Sequence, residues 1–161
     1  MYTRNSEEMR IMYKPLDIAA YIIQLSNQIG EPLTNMKMQK LLYYAFVWYA
    51  VEKKEPLFKE AIMAWKYGPV VVSVYKAYEK FGADIIKEAT NGNPNALDKF
   101  TKSLINDVFS VYGNKTAIEL MGLTHSEAPW RDTFNPDNQN TAIPFEAMVQ
   151  YYTAKKAATT E

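Results

Sequence analysis

Residues 34–54, TNMKMQKLLYYAFVWYAVEKK, constrain this chain more than any other stretch. Met38, Leu41, Leu42, Ala45, Phe46 and Tyr49 recur at helical spacing, while Tyr43, Tyr44 and Trp48 cover the opposite side. A helix that is apolar nearly all round needs neighbours on several sides, so this segment is expected to be the hub of the core. Thr34 is its N-cap, without a full capping box because position 37 is lysine. Its most apolar part, residues 41–51, is bounded by Lys40 and Glu52-Lys53-Lys54 and falls well short of the roughly 20 residues of a membrane span.

The hub organises the rest. Pro15 opens a helix with Ile18, Ile22, Leu25 and Ile29 on one stripe, closed by Gly30 and Pro32. Residues 57–68 lack a helical period, but Ile62 and Ala64 alternate with Met63 and Trp65, which suits a short extended segment or hairpin arm. Val71, Val74, Tyr78 and Phe81 keep a helical period, so a helix is expected from about Val70 to Phe81 despite the strand preference of three valines. Asp84–Glu88 adds a turn of helix. Asn93 and Pro94 open a helix carrying Leu97, Phe100, Leu104, Val108 and Val111 and ending at Gly113. A short helix over about 116–123, a polar loop at 135–141 and a last helix from Pro144 through Tyr152 complete the chain. The expected fold is all-α: a single-domain bundle of six to seven helices around the hub, with one short β-hairpin. Residues 1–12 read as a flexible N-terminal segment, 13–153 as the domain and 154–161 as a flexible tail.

Composition narrows the chemistry. The 161 residues hold no cysteine and one histidine, which removes thiol nucleophiles, thiolate zinc sites and any site needing two imidazoles. Eighteen basic residues balance eighteen acidic ones. That speaks against a nucleic-acid binder, whose affinity rests on phosphate neutralisation. The polar start lacks a secretory h-region, so a cytoplasmic protein is expected. No P-loop, G-x-G-x-x-G or G-x-S-x-G is present.

Two clusters remain. His125 and Glu127 share a face if extended, and an imidazole with a carboxylate suits acid–base work or one metal; alternatively Thr124, His125 and Glu127 organise a helix boundary ahead of Pro129. In Trp65-Lys66-Tyr67-Gly68-Pro69-Val70, Trp65 suits a core plug, whereas Lys66 and Tyr67 suit a projecting surface. Lys37, Lys40, Lys53 and Lys54 read as solvated flanks.

The ordered series MQKLLYYA (38–45), PLF (56–58), AWKYGPVV (64–71), VY (74–75) and LTHSEAPW (123–130) closely resembles the Panacea antitoxin domain family, a SocA-like, phage-associated group. The resemblance runs from about Ile18 to Tyr152, with one departure at Val72, where many relatives carry proline. It implies a small helical protein that neutralises a cognate protein toxin encoded nearby by direct binding, or an adaptor delivering the toxin to a cellular protease. It implies no enzymatic activity, no cofactor and no catalytic or metal site. A His125/Glu127-dependent hydrolase and a DNA-binding regulator stand as the less favoured alternatives. On the antitoxin reading the contact residues are expected at Lys66, Tyr67, His125, Glu127 and Trp130, with Lys40 and Tyr44 behind them.

Overall fold

The computed structural model describes residues 12–159; the expected flexible segment at the N-terminus lies almost wholly outside them. The hub is helix α2 (Asn35–Lys53), entered at Thr34, whose hydroxyl accepts from Lys37 N–H, and left through Lys54 in the left-handed region. Fifteen of its 19 residues are buried. It packs against α1 (Pro15–Ile29), the hairpin β1 (Met63–Trp65) and β2 (Gly68–Val70) through β2, then α3 (Val72–Tyr78), α4 (Lys99–Tyr112), α5 (Ala117–Ser126) and α7 (Phe145–Thr159). A one-turn helix α6 (Ala128–Arg131) joins α5 to the loop before α7. Seven α-helices and one two-stranded antiparallel hairpin thus form a single helical domain among the described residues. None of these helices is long and apolar enough to cross a membrane.

Four boundaries differ from the periodicity. The helix expected from Val70 starts at Val72, because Val70 pairs with Met63 in the hairpin. Its first N–H groups find side-chain acceptors: Gln39 Oε1 takes Val71 N–H at 2.9 Å and Glu60 Oε2 takes Ser73 N–H at 2.9 Å. Val72 is the first helical residue, a position whose N–H has no intrahelical acceptor and which proline therefore tolerates. Asp84–Glu88 is not helical; Ile86 N–H is drawn to Leu33 carbonyl at 2.7 Å.

Asn93 and Pro94 open only a 3-10 turn, Pro94–Ala96. Leu97 then extends into the core, and Asp98 caps α4 by accepting Thr101 N–H at 2.8 Å. That restart turns the helix, so Thr101, Leu104, Ile105, Val108, Phe109 and Tyr112 are buried while Phe100 and Val111 face outward. The last helix continues to Thr159, past the expected start of the tail. There Lys155 pairs with Glu127 at 3.5 Å and Lys156 with Glu52 at 2.5 Å.

At the centre lies a buried carboxylate. Glu127 Oε1 accepts the Tyr44 and Tyr152 hydroxyls, each at 2.7 Å, and Tyr43 and Tyr152 hydroxyls are 3.0 Å apart. Burial pushes the Tyr44 and Tyr152 hydroxyls far above the usual phenol range, reinforced by the Glu127 charge. The α5–α6 junction, the hub and α7 are therefore tied at one oxygen. Replacing Glu127 by Ala leaves two buried hydroxyls without an acceptor, at about 1–3 kcal/mol each. Urea unfolding of Glu127→Ala is expected to show a loss of about 3 kcal/mol, and Glu127→Gln a smaller one.

Candidate functional site

The hairpin brings the two motif-rich segments together. Trp65 pairs with Gly68, leaving Lys66 and Tyr67 as a two-residue turn at the tip. Both are exposed, Tyr67 at 54%, with the Lys66 ammonium 5.5 Å from the Tyr67 ring. The outer edge of β1 is covered by residues 141–143: Ala64 N–H donates to Thr141 carbonyl at 2.9 Å, and Ile143 N–H to Ile62 carbonyl at 2.8 Å.

The other segment buttresses the hairpin from behind. Trp130 is buried and its indole N–H donates to Trp65 carbonyl at 2.8 Å. The His125 ring stacks on Trp130 at 3.7 Å and 7°, and Phe134 also stacks on Trp130, at 4.8 Å and 13°. Burial and the neighbouring Lys40 charge hold the His125 imidazole below its usual value, opposed by the Lys66 backbone carbonyl. The imidazole is therefore neutral at pH 7. Its Nε2 is buried without a hydrogen-bond partner.

His125 and Glu127 do not form a pair. His125, in the last turn of α5, meets Trp130 and the hairpin, while Glu127, in extended backbone at the junction, points to the tyrosines and Lys155. The helix-boundary role holds instead: Glu127 N–H donates to Thr124 carbonyl, and Ser126 Oγ donates to Leu123 carbonyl at 2.7 Å. The acid–base arrangement that an extended segment would have offered is not assembled.

Lys40 is the residue that sequence reasoning places worst. It is 2% exposed, and Lys37 is 5% exposed, so neither is a solvated flank. Burial still lowers the Lys37 ammonium, but its donation to Gly113 carbonyl at 2.5 Å and the Glu31 and Glu119 charges offset part of the cost. Lys40 passes beneath the hairpin at Gly68, where a Cβ would lie 2.9 Å from Lys40 Cε and 3.3 Å from Thr124 Oγ1. With φ at +121°, Gly68 is thus required both by its backbone and by the lysine it covers. Burial lowers the Lys40 ammonium to about 8.

A groove of about 480 Å³ opens beside the hairpin, between the start of α2 and α3. Met36, Trp65, Tyr67, Val70 and Tyr75 supply its apolar lining, with Lys40 in its floor and Glu79 and Gln139 among its polar members. Trp65 is half-buried, edge-on to Tyr75 at 5.1 Å, and its Nε1 is buried without a partner. Of the seven expected contact residues, Lys66 and Tyr67 stand at the surface and His125 is half-buried; Lys40, Tyr44, Glu127 and Trp130 are buried, and Lys40 alone of these lines the groove. A second groove, about 580 Å³ between the hub, α4 and α7, has no buried polar atom without a partner in its lining.

The drop in Lys40 from 10.5 to about 8 corresponds to about 3 kcal/mol of destabilisation while the ammonium is charged in both states. The penalty is complete below pH 8 and fades as pH rises to 10.5, where the unfolded chain also loses its proton. Lys40→Met is therefore expected to be more stable by about 3 kcal/mol at pH 7, with the advantage shrinking between pH 8 and 10.5 in denaturant titrations. His125 has the same sign in a more acid window: the unfolded chain binds its proton first, so stability falls as pH drops below 6.5 toward the lower folded value. His125→Gln is expected to flatten that part of the unfolding profile.

The span that builds this region is matched by known sequences. The model of the family described as antitoxin SocA-like, Panacea domain, matches residues 38–131. Among curated proteins, the chain is similar to Antitoxin SocA of Caulobacter vibrioides (strain NA1000 / CB15N), 28% identical over 137 residues, which cover 78% of this chain and 73% of that protein. No solved structure matches at a significant level. The family match begins inside the hub, takes in the hairpin and ends just after Trp130, so the chain belongs to the SocA-like antitoxin family with a Panacea domain.

Proposed function

We propose that this chain is an antitoxin that neutralises a protein toxin encoded beside it by direct, non-enzymatic binding in the cytoplasm. The observation that carries this reading is the location of the projecting aromatic tip. Lys66 and Tyr67 stand out from a hairpin braced by Trp130, inside the segment that defines the family. Tyrosine at an exposed, rigidly supported turn is the type of residue that anchors protein interfaces, since it buries area at low entropic cost. His125 supports the same surface through its stack on Trp130 and its place beside the Lys66 carbonyl.

Inducing the toxin with and without this chain tests the reading. Survival only when both are present, with a stable co-purifying complex and an unchanged toxin half-life, is the expected result. A shortened toxin half-life would instead identify delivery to a protease, and no rescue would refute the pairing. The double substitution Lys66→Ala/Tyr67→Ala is expected to weaken the complex at least tenfold in titration calorimetry while leaving the melting temperature within about 2 °C, since both side chains are exposed.

A further inference from the structure

Buried ammonium groups are normally held by a carboxylate or by backbone carbonyls, because desolvation is otherwise uncompensated. Lys37 obeys this through Gly113. Lys40, three residues on and equally buried, does not: among the described residues no carboxylate lies within ion-pair distance of its Nζ and no hydrogen bond is made. It is not stranded in a sealed core, because Lys40 lines the hairpin groove. Trp65 adds a second donor in the same lining, an indole N–H that is buried and unpaired. The Lys40 ammonium is thus set against an apolar wall made by Met36, Tyr67 and Tyr75, with the unpaired Trp65 indole N–H belonging to the same lining.

We infer that this groove is the receptor for an acidic side chain of the partner protein, whose carboxylate pairs with Lys40. The inference rests on the antitoxin reading for the identity of that partner. Charge complementarity selects the occupant: an acceptor-only, anionic group pairs with the Lys40 ammonium, whereas an amide or ammonium would leave its own donors unpaired beside a cation. The aliphatic stem of a glutamate or aspartate would lie against the apolar wall. Glu79 in the groove lining and Lys66 at the tip offset one another, so Lys40 sets the sign of the floor. A charge pair formed in so dry a place gives register and partner choice more than raw affinity, because both ions are desolvated.

The test is titration calorimetry of the intact chain against the toxin encoded next to it, at pH 7. Lys40→Met keeps the stem and removes the charge, and its raised melting temperature verifies that it folds. The expected result is at least a tenfold loss of affinity for Lys40→Met; unchanged affinity overturns the inference while leaving the antitoxin reading intact. Should the native chain not bind that toxin, the antitoxin reading fails and N-acetylglutamate becomes the probe. A saturable shift of the Trp65 indole N–H resonance that Lys40→Met abolishes supports a carboxylate receptor. No shift, a shift insensitive to Lys40→Met, or a response to inorganic phosphate alone overturns it.

Discussion

A helix buried on every side cannot choose its neighbours by amphipathicity, and that constraint governs this molecule. Helix α2 is enclosed by five other helices and the hairpin, so its apolar surface alone leaves their placement open. The choice falls to polar atoms embedded in it, four of which find partners outside the helix. Asn35 reaches Tyr75 carbonyl, Gln39 takes Val71 N–H, Lys37 reaches Gly113 and Tyr44 reaches Glu127. Each such group is costly when unmet, so together they penalise alternative packings more than they stabilise the native one.

The same logic explains why the hairpin can project a surface. Two strands of three residues are too short to hold themselves. Trp130 fastens Trp65 from behind, residues 141–143 cover the outer edge, and Gly68 lets β2 close down over Lys40. The turn enters this support through the Lys66 backbone, which leaves the exposed Lys66 and Tyr67 side chains available for a partner.

The hub, the Thr34 cap, the first helix and the hairpin alternation were all legible because each is written in local spacing. So was the boundary role of the segment around Glu127. What periodicity misplaced has local competitors: Asp98 caps a second start after the Asn93-Pro94 turn, and strand pairing claims Val70 from the next helix. The buried lysines were illegible for a different reason. Composition assigns lysine to solvent, and only the three-dimensional meeting of Gly68, Thr124 and the hub shows Lys40 enclosed. The resemblance supplied the family, yet it could not say which of its residues face a partner and which support those that do.

The central claim is that the hairpin and its groove form the partner-facing surface. Amide hydrogen exchange of the chain, alone and in complex with its toxin, tests this most directly, because it reads the interface without presupposing a residue. Protection concentrated in residues 36–40 and 63–75 is the predicted result. Protection confined to α4 and α7, around the second groove, with the hairpin unchanged, would contradict the account.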